Sequence, residues 1–386
     1  VQGATNPEKE TAMKVPLLDL RAQYATITKE VQQAINKVLD AQNFILGEQV
    51  AELETQMARY CGVKRAIAVA SGTDALLLSL MALDIKKGDE VITTPYTFFA
   101  TVGSIVRLEA SPIFVDIDPK TFNIDPAKLE EKITPRTKAI IPVHLFGQVA
   151  DMDPILELAK RRKLAIVEDA AQAIGATYKG LKAGSMGTVG ILSFYPSKNL
   201  GAYGDAGMVL TNNEELAEKV SLLRVHGSRD RYYHAVVGIN SRLDTLQAAI
   251  LLVKLKYLDR WNQRRQALAH SYTRDLQEAP VTCPYVRKQN DSVYTYYVIR
   301  TRGRDSLMDY LTKAGIGTAI YYPLPMHLQE CLKYLNHKEG SMPEAERASK
   351  ETLALPIYPE MTEGQRAYVV ENIKKFFRSN PELQQK

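Results

Sequence analysis

The sequence predicts an α/β protein: a mainly parallel sheet covered by helices on both faces, with a smaller α/β domain toward the C-terminus. Three observations carry that expectation. Short apolar runs alternate with amphipathic stretches from about residue 65 to 210, the signature of repeated β-α units. A long helical stretch over 243–276 then breaks the alternation. Beyond it, strand-like and helical segments start a second, shorter set.

Taken in order, Tyr24, Ile27, Val31, Ile35, Val38 and Leu39 recur at helical spacing and predict a helix over 24–42. A second helix covers 48–60 and stops at Gly62. Ala66–Ala70 reads as a strand and Asp74–Leu83 as the helix behind it. Glu90–Thr93 is a strand, Thr97–Leu108 a helix, Ser111–Val115 a strand and Lys128–Ile133 a short helix. Ala139–Val143, Asp153–Arg161 and Ala165–Glu168 continue as strand, helix and strand. Ile191–Phe194 and Gly207–Leu210 add two strands. Downstream, Tyr294–Arg300 and Gly317–Tyr321 are strand-like and flank a helical Ser306–Ala314. The expected division is a polar tail or expression remnant over 1–12, a large domain over 13–262 and a small one over 263–386. The N-terminal helix is a candidate to pack on the small domain. The chain contains no internal repeat and no low-complexity segment.

Composition narrows the function. With 386 residues, 45% of them hydrophobic, the chain can bury a large core. A net charge of +5 with no Lys/Arg block argues against nucleic-acid binding. Three scattered cysteines, Cys61, Cys283 and Cys331, fit a reducing cytoplasm better than a disulfide framework. No Cys or His cluster has metal-ligand spacing. No uninterrupted apolar run approaches the roughly 18 residues of a membrane span, and residues 1–12 lack a signal peptide's apolar stretch.

Four segments can carry chemistry. In I-V-E-D-A-A-Q (166–172) a strand ends on Asp169, a carboxylate able to pair with a cationic ring nitrogen; it could equally cap the next helix. In S-F-Y-P-S-K-N-L-G (193–201), Lys198 follows a strand among polar and glycine neighbours, a setting for a Schiff-base lysine or for a solvated loop lysine. In A-S-G-T-D-A (70–75) a turn opens a helix, where Gly72 and Thr73 form either an anion site or a plain cap. Phe98, in P-Y-T-F-F-A-T (95–101), can stack on a flat ring or pack in the core.

In order and together, these strings resemble the DegT–StrS-type sugar aminotransferases. Further matching strings are F-V-D-I-D-P (114–119), P-V-H-L-F-G (142–147), G-D-A-G-M-V (204–209), G-I-N-S-R-L-D-T-L-Q-A-A-I (238–250) and Y-Y-P-L-P-M-H-L-Q (321–329). The resemblance spans about residues 15–359. It implies the three-layer αβα fold of type I pyridoxal 5′-phosphate (PLP) enzymes. Lys198 then holds the cofactor as a Schiff base and shuttles protons, and Asp169 pairs with the pyridine nitrogen. Gln172 sits near the phenolic oxygen, and Phe98 stacks on the ring. Gly72, Thr73 and Ser193 bind the phosphate. Asn240 reaches the phosphate of the neighbouring subunit, which implies a homodimer with shared sites; read locally, it is a turn residue. The implied reaction takes an amino group from L-glutamate through pyridoxamine phosphate to a keto-sugar linked to a nucleotide. A dehydrating branch of the family carries His in place of the lysine, so Lys198 favours transamination.

The sugar is less defined. The segments 224–234 and 321–329 resemble members acting on 3-keto rather than 4-keto sugars. The pair matching Tyr321 and Tyr322 lines their substrate site. His-Tyr is common there, so Tyr321 is a departure. Arg229, Arg231 and Arg242 could meet an anionic group, with Arg242 favoured for a carboxylate. A 4-keto-sugar aminotransferase and a non-catalytic, PLP-binding regulator are the competing readings.

Overall fold

The computed structural model describes residues 13–383; the expectation of a tail over 1–12 lies outside them. Seven strands form the central sheet: β1 (Arg65–Val69), β2 (Glu90–Thr93), β3 (Ser111–Phe114), β4 (Thr137–Ile140), β5 (Ala165–Asp169), β6 (Val189–Ser193) and β7 (Gly207–Thr211). Their spatial order is β1-β7-β6-β5-β4-β2-β3. All run parallel except β7, which is antiparallel to its neighbours β1 and β6.

Among the described residues eleven α-helices surround this sheet and a second core: α1 (Leu20–Ala41), α2 (Glu48–Cys61), α3 (Gly72–Ala82), α4 (Phe99–Arg107), α5 (Met152–Arg162), α6 (Glu214–Leu223), α7 (Thr245–Leu255), α8 (Leu258–Asp275), α9 (Arg304–Lys313), α10 (Pro343–Glu351) and α11 (Glu363–Ser379). Side-chain alternation splits β1 between the sheet faces. Ala66 and Ala68 pack with Leu53 and Met57 of α2, Ile155 of α5 and Leu251 of α7. Ile67 and Val69 pack with Leu76 and Leu78 of α3, Ile105 of α4 and Val220 of α6. Both faces are covered, so the strands read as continuous apolar runs.

The second core gathers Leu268 and Tyr272 of α8, Leu307 and Leu311 of α9, and Val369 and Ile373 of α11. Its antiparallel pair is β8 (Tyr297–Arg300) and β9 (Thr352–Leu355). Val15 joins this core, whereas Ile27 and Val31 of α1 pack against Ile250 and Val253 of α7 and Trp261 of α8.

Three expected elements take a different form. The helix expected over 128–133 is a pair of 3₁₀ turns, Pro126–Lys128 and Glu130–Lys132, too short to propagate α-helical bonding. The single helix expected over 243–276 is two: α7 is apolar nearly all round and buried, α8 is amphipathic, and the chain turns between them at Lys256 and Tyr257. The segment 317–321 is no strand. It touches β9 at one bridge, Ala319 to Ala354, before turning toward the cleft described below. Several starts also shift: α1 begins at Leu20, β8 at Tyr297, α3 at Gly72 with Ser71 as its cap, and α4 at Phe99 with Phe98 at the cap position.

Candidate active site

The parallel strands discharge their C-terminal ends into one cleft, the expected ligand position in such a sheet. The cleft has a volume of about 480 Å³. Gly72, Thr73, Phe98, Asp169, Gln172, Ser193, Lys198, Tyr321 and Tyr322 all line it. Asn240, Arg229 and Arg242 do not line it within one chain. Asn240, Arg229 and Arg231 are exposed, and Arg242 is half-buried, its Nε lacking a hydrogen-bond partner.

At one end sits the start of α3. The Ser71 hydroxyl accepts from the Asp74 amide at 3.0 Å, so Ser71 caps the helix. The Gly72 and Thr73 amides precede the first intrahelical bond and point the positive end of the helix outward. Two glycines press this turn onto the sheet. A β-carbon on Gly72 would lie 2.7 Å from Cβ of Ser193, and one on Gly207 would lie 2.3 Å from the Ser71 carbonyl carbon. Bulkier residues would push the helix start away from Ser193.

At the other end, Asp169 closes β5. Its Oδ2 accepts from the Thr101 hydroxyl at 2.8 Å and its Oδ1 from the Ala171 amide at 3.2 Å. Neither donor is a cation, so the buried carboxyl is pushed up by desolvation and only partly drawn back by these bonds. Lys198 follows β6 in the loop after Ser193. Burial pushes its amine down to about 8, against the opposing pull of Asp169. A cleft holding a lysine that readily becomes neutral and a carboxylate short of a cation is equipped for carbonyl–amine chemistry beside a cationic heterocycle.

The side wall is aromatic. Gln172 accepts the Phe146 amide at 2.9 Å through Oε1 and donates Nε2 to the Tyr322 hydroxyl at 2.9 Å. That direction leaves the Tyr322 proton available to a ligand. Phe98 is 57% exposed at the cleft, its ring centroid 6.1 Å from that of Tyr322. Tyr321 packs on Tyr296 at 4.2 Å between centroids, and its carbonyl accepts from the Tyr96 hydroxyl at 2.6 Å.

A sequence model of the DegT/DnrJ/EryC1/StrS aminotransferase family matches residues 25–374. The chain belongs to this family. It is 52% identical to the pleiotropic regulatory protein of Geobacillus stearothermophilus, over 95% of this chain and 99% of that relative. It is 43% identical to the UDP-2-acetamido-2-deoxy-3-oxo-D-glucuronate aminotransferase of Pseudomonas aeruginosa, over 89% of this chain and 95% of that one. Among solved structures, Streptomyces venezuelae DesV, in complex with a ketimine intermediate, superposes with a TM-score of 0.92 at 42% identity, covering 94% of this chain and 98% of its own.

This DegT/DnrJ/EryC1/StrS aminotransferase also places unexpected residues in the cleft. Thr101, Ser71, Tyr296 and Ser197 line it. Ser71 and Thr101 stood inside strings already singled out, A-S-G-T-D-A and T-F-F-A-T, but nothing local marks which hydroxyl turns inward. Tyr296 carries no signal at all, because it reaches the cleft from the bend just before β8, far along the chain from Asp169 and Lys198.

Proposed function

We propose that this protein is a PLP-dependent aminotransferase that moves an amino group from L-glutamate to a 3-keto sugar linked to UDP or dTDP. The observation that carries this reading is the placement of Lys198 and Asp169 in one cleft, a buried amine pushed down to about 8 and a buried carboxylate whose hydrogen bonds come from a neutral hydroxyl and a backbone amide.

The donor set fits a phosphorylated pyridine. Asp169 supplies the acceptor for a protonated ring nitrogen, the α3 start with Thr73 and Ser193 supplies a phosphate cradle, and Phe98 supplies a ring face. Gln172 and Tyr322 supply polar groups on the side wall. Bound there, the cofactor provides an electron sink for a carbanion. Lys198 Nζ, a buried amine that gives up its proton more readily than an exposed lysine, takes a proton from the donor's α-carbon and returns it. Asp169 keeps the ring nitrogen protonated throughout. Tyr321 and Tyr322 offer hydroxyls and ring faces to a sugar. The product is an amino sugar of the kind used in lipopolysaccharide or natural-product assembly.

The 3-keto, nucleotide-linked assignment draws on the Pseudomonas aeruginosa relative's named substrate. Arg242 and Arg229 are candidates for the substrate's anionic groups or the donor's carboxylate. With Asn240 they belong to a site completed by a second copy, which makes the working unit a homodimer. Its compartment is the cytoplasm, where Cys61, Cys283 and Cys331 stay as thiols; none of them is in a disulfide. Among the described residues no helix is long and apolar enough to cross a membrane.

The test is absorbance of the PLP-loaded protein. Glutamate must bleach the cofactor band and yield 2-oxoglutarate, and NMR of products from 3-keto and 4-keto UDP- and dTDP-sugars must place the new nitrogen at carbon 3. Nitrogen at carbon 4 would select the 4-keto reading. The Geobacillus relative's name favours a second reading, a PLP-binding regulator. A regulator would bind the cofactor and release no 2-oxoglutarate.

A further inference from the structure

The loop that carries Lys198 is held from outside the cleft. It folds back on itself between Phe194 and Ala202. The Lys198 amide donates to the Tyr195 carbonyl and the Ala202 amide to the Phe194 carbonyl, both at 2.8 Å. Gly201 lies so close to Pro196 that a β-carbon would meet that carbonyl oxygen at 2.3 Å. Helices α7 and α8 then grip the loop with polar side chains. Gln247 Oε1 accepts from the Tyr203 amide at 2.8 Å. Lys254, seven residues on and so on the same face of α7, donates its ammonium to the Gly201 carbonyl. The rings of Tyr203 and Trp261 stand 5.1 and 6.0 Å from that nitrogen.

Asn262 of α8 links this loop to the other half of the cleft. Its Oδ1 accepts from Asn199 Nδ2 at 2.8 Å, and its Nδ2 donates to the Ile174 carbonyl at 3.1 Å. One amide therefore joins the residue after Lys198 to the turn that follows Asp169 and Gln172. Gly175 makes room for it, since a β-carbon there would lie 2.5 Å from Asn262 Nδ2. Lys254 is 1% exposed and Asn262 5%. Burial drives the Lys254 amine down to about 8, with Glu360 opposing. A well-packed apolar side chain in its place would avoid that desolvation.

We propose that Lys254 and Asn262 are positioning residues that hold the Lys198 loop at a fixed place relative to the Asp169 segment. The proposal rests on Lys198 being the reactive amine, but its test reads that amine without cofactor and so succeeds or fails separately from transamination.

The experiment is competitive acetylation of the cofactor-free full chain over a pH series, with mass spectrometry of the peptide bearing Lys198. Wild type should titrate near 8. In K254M and N262A the loop loosens, water reaches the amine, and the midpoint should rise by about half a unit or more. K254M also deletes a charge, although burial and Asp169, not Lys254, set the Lys198 amine in wild type. N262A changes no charge, so its rise reports position alone. In the loaded enzymes the glutamate half-reaction should slow about tenfold with the donor's KM unchanged. K254Q or N262S replaces whichever variant fails to fold. Folded variants at both positions that titrate Lys198 within about 0.2 unit of wild type would overturn the proposal, even if they are less stable.

Discussion

The Thr101 hydroxyl donates to Oδ2 of Asp169 at 2.8 Å, so the carboxylate at the end of β5 is held by the first turn of α4. Thr101 in turn shares a 2.9 Å hydrogen bond with Thr97. This is the one side-chain donor among the described residues that reaches Asp169. Thr101→Val should leave the carboxyl still higher and weaken its hold on a protonated ring nitrogen. We expect the PLP dissociation constant to rise about tenfold, the loss of one hydrogen bond to a charged group, measured by cofactor titration. Asp169→Asn should cost the glutamate half-reaction about a thousandfold, read by stopped-flow absorbance, because a neutral amide cannot keep that nitrogen protonated.

Lys198→Met should abolish transamination while stabilising the cofactor-free protein. The folded-state amine titrates near 8 and the unfolded one near 10.5, so the unfolded chain binds more protons between those values. Wild-type stability therefore rises with pH through that window and is penalised below it. At pH 7 the variant should gain about 3 kcal/mol, and the gain should shrink above pH 8, as followed by urea denaturation. A variant no more stable than wild type at pH 7 would contradict the burial of this amine.

Gly72→Ala tests the phosphate cradle. Its β-carbon would lie 2.7 Å from Ser193 Cβ, so α3 must withdraw from β6. The expected cost is about 1–3 kcal/mol of stability, with a loss of PLP affinity that exceeds the loss of affinity for unphosphorylated pyridoxal. Equal losses for both would place the phosphate elsewhere.

Tyr322→Phe removes the acceptor of the Gln172 amide and a hydroxyl facing the cleft. The burial that holds the Tyr322 phenol well above its ordinary value keeps it protonated at every working pH. It can therefore donate to a sugar oxygen but not act as a base. We expect the sugar half-reaction to slow about tenfold and the glutamate half-reaction to change less than threefold, with no pH-dependent difference between variant and wild type below pH 9. Comparison of the two single-turnover rates decides it.

Much of the fold was legible because a parallel sheet covered on both faces leaves its mark on each strand as a continuous apolar run. β2 was legible to the residue, and Asp169 stood out as the polar end of such a run, whereas Ser193 was read as inside its strand and was picked out only by the family resemblance. The break at Lys256 was not legible. No glycine or proline marks it, and it follows from α7 being enclosed while α8 faces solvent on one side. The start of α4 at Phe99 was hidden for a related reason: the Phe98 backbone is extended and turns its ring to the cleft.

The sequence by itself determined the strand–helix order, the carboxylate that ends one strand, Asp169, and the Lys198 loop that follows another. Those are local properties of burial and turn chemistry. Only the tertiary structure decided that Thr101 holds Asp169, that Gln172 meets Tyr322 across 150 positions, and that Lys254 and Asn262 grip the Lys198 loop from another pair of helices. The physical reason is that a hydroxyl, an amide or a buried ammonium acquires its role from the partner it faces. Partners far apart in the chain are chosen by how the layers pack, not by their neighbours in sequence.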